Sequence, residues 1–182
     1  MVNRYKLKLT NLQQEILRFL FAKSGRSLNQ RQISRYLEVS QPAVMKALPE
    51  LEKQEMIKIE QDKESKRWAI QLNRDNLRVM QLKRIDNLRV IYESGLANFL
   101  EKEFAGGTIL LFGSYSRGDD TSSSDIDIAV IGRKEKTINL GKFEEIFEKE
   151  IRINFYPSFK EIHKNLKENL FNGVVLAGGI EL

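Results

Sequence analysis

Two short stretches hold most of the chemistry this chain can do. Gly113-Ser114 directly follows the apolar run Thr108-Ile109-Leu110-Leu111-Phe112, and Asp125-Ile126-Asp127 opens a second apolar run after ten further residues. On a strand, alternation sends Asp125 and Asp127 to one face, about 6–7 Å apart. Carboxylates that close repel unless something cationic lies between them. A divalent ion does this well. With oxygen ligands, and its other positions left to water and phosphate, Mg2+ or Mn2+ suits the pair. Gly113 lets the backbone come close to a phosphate, and Ser114 offers an N–H and a hydroxyl at a helix start. A phosphate cradle and a metal clamp are therefore expected at the ends of adjacent strands. Arg117, four residues after Gly113, reads on a helix as a solvent charge. Taken alone, Asp-x-Asp is also a solvated strand edge and "TSSSD" a flexible loop. Neither reading accounts for the strand and Gly-Ser upstream.

The whole stretch "FGSYSRGDDTSSSDIDIAVIG" resembles the signature of the nucleotidyltransferase fold of the polymerase-β type. Residues 105–182 are similar in size to the minimal prokaryotic members. The resemblance implies that Asp125 and Asp127 bind two divalent ions. It implies that Gly113 and Ser114, with Arg117 and Ser124, hold a nucleoside triphosphate, with ATP as the expected base form. The ions would then assist in-line attack of a hydroxyl on the α-phosphate, releasing pyrophosphate. Active members carry a third carboxylate on the next strand. Here that strand is expected over residues 150–156, and Asn154 aligns with the acid. A neutral amide orients but takes no proton at neutral pH. Glu150 shares the strand parity but falls four residues earlier, roughly 13 Å away. Nucleotide and metal binding are therefore expected more firmly than turnover.

Composition narrows the alternatives. The 182 residues are 41% hydrophobic and 30% charged, enough for a core and unlike a disordered chain. No run of about 18 apolar residues is present, so no membrane span is expected. The first ten residues lack the apolar stretch of a secretory signal. Cysteine is absent, which excludes disulfides, thiolate zinc and cysteine nucleophiles and fits a cytoplasmic setting. With one histidine, a metal site must be built from oxygen ligands. The net charge of +5 is uneven: +6 over residues 1–72, +1 over 73–104 and −2 over 105–182. Positive charge at the N-terminal end suggests a polyanion partner, or a solvated basic face.

Periodicity supplies the elements that carry that charge. Residues 11–24 place Leu12, Ile16, Leu17, Leu20 and Phe21 at helical spacing. Asn29, with Gln32 as reciprocal partner, caps a second helix that carries Ile33, Tyr36 and Leu37 inward. Ser40 caps a third through about Gln54, with Pro42 in its first turn and Val44, Leu48 and Leu51 buried. Short strands at 56–59 and 68–72 flank a polar loop. This order is that of a winged helix-turn-helix. The segment "LNQRQISRYLEVSQPAVMKALPELEKQEMI" resembles the winged-helix domains of prokaryotic transcriptional regulators. On that resemblance the third helix enters the major groove of double-stranded DNA. Ser40, Gln41, Ala43 and Lys46 would face bases or phosphates, and Lys63, Lys66 and Arg67 would form the wing. Two departures stand out: Pro49 falls inside the third helix, and Met56 takes the place of a left-handed glycine. A winged helix used for protein contacts is the alternative.

From Asn73 to Phe104 there is no proline, and an apolar stripe runs through Leu77, Met80, Ile85, Leu88, Tyr92, Leu96 and Phe99. One helix of roughly 45 Å is expected. Its surplus stripe suggests a homodimer through residues 73–104, or packing within the chain. The expected architecture is thus two domains. A winged helix over 1–72 and a long linker helix over 73–104 precede an α+β nucleotidyltransferase fold with a mixed sheet over 105–182. The function this implies is a DNA-binding regulator whose second domain binds nucleotide. The alternative is an active transferase that moves a nucleoside monophosphate, AMP in the first place, onto a protein, RNA or small-molecule hydroxyl. An antitoxin-type role falls within that alternative.

Overall fold

The computed structural model describes residues 9–61 and 68–180. Contacts divide the chain into two compact units, with the boundary between Val79 and Met80.

The first unit is three helices and a hairpin. Helix α1 (Asn11–Ala22) starts at Thr10, whose side chain accepts from the Gln13 N–H while the Gln13 side chain reaches back to Thr10. Helix α2 (Gln30–Tyr36) starts at Asn29 with the same reciprocal box to Gln32. Helix α3 (Gln41–Lys53) is capped by Ser40, which accepts from the Ala43 N–H. Ile16, Leu20, Ile33, Val44, Leu48 and Leu51 are buried between these helices and the hairpin. Strands β1 (Ile57–Gln61) and β2 (Trp68–Leu72) pair antiparallel, and Leu28 adds a bridge to Ile70.

Three details differ from expectation. Tyr36 is exposed rather than buried, its ring stacked on Phe19 at 3.9 Å. Helix α3 runs on through Pro49. Pro49 itself is exposed, so its ring displaces no core side chain. The left-handed residue before the hairpin is Glu55, with φ 54°, and Met56 beside it is buried. The turn expected to need glycine one place later is therefore made by a glutamate, at the cost of Cβ crowding.

The second unit is a mixed four-stranded sheet between two apolar layers. Residues 73–104 do not make one helix: α4 (Leu77–Glu93) ends, Gly95 takes φ 79°, and α5 (Leu96–Glu103) begins. Of the stripe predicted to await a partner, Leu96 is buried and Met80, Leu88 and Phe99 are half-buried, while Leu77, Ile85 and Tyr92 stay exposed. Ile91, Leu96, Leu100 and Phe104 are buried in the same cluster as Ile109, Ile126 and Ile128. Strand β3 (Thr108–Phe112) leads into α6 (Gly113–Arg117). After the loop come β4 (Ile126–Ile131), α7 (Gly141–Phe147) and β5 (Ile151–Tyr156). A 3-10 turn (Phe159–Glu161), α8 (Lys164–Phe171) and β6 (Val174–Ala177) complete the unit. Exposed His163 caps α8, its ring nitrogen accepting from the Asn165 N–H.

The strand order is β5-β4-β3-β6, with β4–β5 parallel and the other pairs antiparallel. One face packs on the α4–α5 cluster. The other carries Leu110, Phe112, Ala129 and Ile131 against Phe159, Ile162 and Leu170. Among the described residues no helix is long and apolar enough to cross a membrane.

Candidate functional site

Strand register brings the Gly-Ser corner to the acidic pair. Phe112, the last residue of β3, stands opposite Asp127 on β4. The chain turns into α6 at Gly113, whose φ of 73° favours glycine. A Cβ at Gly113 would fall on the Asp127 carboxylate Oδ2. Two constraints, backbone angle and close approach, therefore specify this glycine. Ser114 follows, half-buried at the start of α6. With five residues, α6 offers N–H groups at the corner and only a small dipole.

Asp127 is half-buried with Asp125 beside it. Burial first, and Asp125 second, hold its carboxyl above the usual range, while Arg152 and Arg117 pull it back. On the same side Tyr156 is pushed up, by burial first and by Asp127 second. Arg117 is exposed and paired with Asp119 at 3.1 Å, a partner the sequence reading did not give it. Ser124 closes the loop, its hydroxyl accepting from the Thr121 N–H at 3.0 Å.

The loop before Asp125 hangs on a buried polar cluster that sequence reasoning missed. Lys83 on α4 is fully buried and ion-paired to Asp120, itself 1% exposed. Asn87, one turn further along α4, donates to Asp120 Oδ1 at 2.8 Å and to the Tyr115 carbonyl at 2.9 Å. Lys149 approaches Asp120 Oδ2 at 3.3 Å and donates to the carbonyls of Thr121 and Ser124. Burial first, and Asp120 second, push the Tyr115 phenol far up. Asp120 is thus the peg on which residues 119–124 are fixed. The only sequence signal was Lys83 and Asn87 lying four apart in an otherwise apolar stripe.

The residue opposite Asp127 on β5 is Arg152. Asn154 lies opposite Ala129. The β5 residue directly opposite Asp127 is thus a cation, while Asn154 lies two places further along the strand. Arg152 is ion-paired with Asp125, its Nη1 2.7 Å from Oδ2, and donates to the Glu150 carboxylate at 3.1 and 3.3 Å. Glu150 in turn is held below its usual range by the Arg152 hydrogen bond. Among the described residues no group of three or more acidic, histidine or cysteine side chains is arranged to hold a metal ion. A site with two divalent ions does not fit this donor set: two carboxylates, one already joined to a guanidinium. A cleft of ≈ 670 Å³ lined by Gly106, Gly107, Gly132 and Gly178 lies at the opposite end of β3 from Gly113 and holds none of these groups.

In the first unit, Gln41 and Lys46 are exposed on α3, and Ala43 is half-buried. The exposed Ser40 spends its hydroxyl on the cap. Lys63, Lys66 and Arg67 lie outside the described residues.

Residues 93–176 match the family described as nucleotidyltransferase domain. The match begins at the end of α4 and includes α5, in keeping with the burial of α5 in the second unit's core. No curated protein matches the chain. Among solved structures, the chain is similar to the adhesin competence repressor AdcR of Streptococcus pyogenes. That match has 25% identity and a TM-score of 0.41 over 54% of this chain and 69% of the repressor. A complex of Staphylococcus aureus MepR with DNA gives 26% and 0.38, over 52% of this chain and 78% of MepR. A point mutant of Lactococcus lactis ZitR gives 23% and 0.41, over 55% of this chain and 65% of ZitR.

Proposed function

We propose that this chain is a DNA-binding regulator whose second unit binds a nucleoside triphosphate, ATP in the first place, and turns it over slowly or not at all. The observation that carries the nucleotide half is Gly113 against Asp127. A turn that admits no side chain brings the first N–H groups of α6 beside an acid held partly away from water, where a phosphate tail would meet them. Arg117 and Arg152 supply the positive charge. The family match over residues 93–176 supports the same reading. With Arg152 opposite Asp127 and ion-paired to Asp125, a cation and not a further acid faces the pair, which argues for slow turnover. The pair of Mg2+ or Mn2+ ions implied by the sequence resemblance is not part of the proposal.

The DNA half rests on the first unit's order of elements, its charge of +6 over residues 1–72 and the exposure of Gln41 and Lys46 on α3. Two copies reading two half-sites would meet through α4, where Ile85 and Tyr92 remain exposed.

The decisive measurement is calorimetric titration of the full chain with ATP, in Mg2+ and again in EDTA. Saturable binding is expected in both, and Gly113→Ala should weaken it about tenfold or more by displacing Asp127. No ATP binding to the wild-type chain overturns the reading. Radiolabelled ATP with candidate acceptors separates the second reading, an active transferase favoured by the family match: label transfer abolished by Asp125→Ala would establish it.

A further inference from the structure

Two acids side by side at the end of β4 need a cation, and this chain supplies one from its own sequence. Arg152 stands opposite Asp127 in a parallel register, so both side chains leave the same face of the sheet. Its guanidinium bridges two carboxylates: Nη1 lies 2.7 Å from Asp125 Oδ2, while Nε and Nη2 hold both oxygens of Glu150. That is the forked geometry in which arginine outperforms lysine. The guanidinium stays charged at every working pH, so proton loss never frees the acids. The side chain is 55% exposed and closes no core, so the fold leaves it free to swing away.

We propose that Arg152 is a tethered counter-cation of the Asp125–Asp127 pair, and that a divalent ion enters this corner only by displacing its guanidinium. A fixed positive charge within a few ångströms opposes a doubly charged ion directly, and it also withdraws an oxygen of Asp125 that the ion would use. Glu150 is withdrawn in the same way. Removing the guanidinium therefore frees the Asp125 oxygen and leaves the Asp125–Asp127 pair without its counter-charge. The biological meaning rests on the nucleotide reading above: phosphate binding here draws on a resident arginine rather than on resident metal. The charge geometry stands without it. Arg152 is a positioning residue, acting through the carboxylates.

Mn2+ binding followed by electron paramagnetic resonance, on the full chain with no nucleotide present, tests this. Arg152→Gln is expected to bind Mn2+ about tenfold or more tighter than wild type, as expected from loss of one nearby charge. Arg152→Lys, which keeps the charge, should stay within about threefold of wild type. Adding Asp127→Asn to Arg152→Gln should abolish the gain, which ties it to this corner. Equal affinity in wild type and Arg152→Gln, no binding in either, or Arg152→Lys as tight as Arg152→Gln overturns the assignment. Because ATP is absent, failure here leaves the ATP titration standing, and failure of ATP to bind leaves this result standing.

Discussion

Asp127 is held at a cost that its own chemistry makes measurable. Burial and the neighbouring Asp125 both disfavour its charged form, so its carboxyl titrates above the ordinary value. The sign follows from linkage. A folded-state value above the unfolded one gives stability that is fully present below the unfolded value, near 4, and lost as pH rises through the folded one. Asp127→Asn carries no such charge. It is expected to melt higher than wild type at pH 7.5, by up to about 3 °C, the shift that roughly 1 kcal/mol produces at this size once solvent screening of a half-buried group is allowed for. The gain should fade as pH falls toward 4, where wild-type Asp127 is itself protonated. Calorimetric scans at pH 4 and 7.5 check it, and an equal or lower melting point at pH 7.5 refutes it.

Among the elements, the loop 119–124 shows how much the sequence could and could not convey. The capped starts of α2 and α3 were legible because Asn29 and Ser40 act locally on N–H groups of their own first turns. The strand pair carrying Gly113 and Asp127 was legible from its apolar runs. The break at Gly95 was not, since glycine within a helical pattern ends it only when a left-handed turn suits the packing beyond. Nor was Arg152: which β5 residue faces Asp127 depends on register between strands twenty-five residues apart, which periodicity does not fix. Lys83 was hidden for the same reason, because its partner Asp120 is 37 residues away. That partnership predicts a large effect. Lys83→Met takes one cation from a fully buried acid and leaves Lys149 and Asn87 to hold it. Breaking one side of a buried ion pair costs about 3–5 kcal/mol. Urea denaturation of Lys83→Met should show a loss near the low end, since Lys149 remains. A loss below about 1 kcal/mol would mean that Asp120 is not the peg of this loop.

At the scale of the molecule, charge is unevenly divided: +6 over residues 1–72 and −2 over 105–182. A chain so arranged is expected to meet DNA with its first unit and keep its second unit off the phosphates. Each phosphate neutralised releases counterions, so the logarithm of affinity falls with the logarithm of salt by about 0.9 per contact. Lys46 with Lys63, Lys66 and Arg67 makes four candidate contacts per copy, so a slope of about −3.5 is expected for one copy. Two copies on two half-sites would double it, to about −7. Sedimentation of the complex at low salt gives the copy number independently. Within that frame the α3 residues separate by kind. Lys46→Ala should lower the slope by about 0.9 per copy and weaken all sequences alike. Gln41→Ala should leave the slope alone and flatten preference among sequences. A Lys46→Ala slope equal to wild type would place α3 away from the phosphates. The basic surface would then belong to a protein contact and not to DNA.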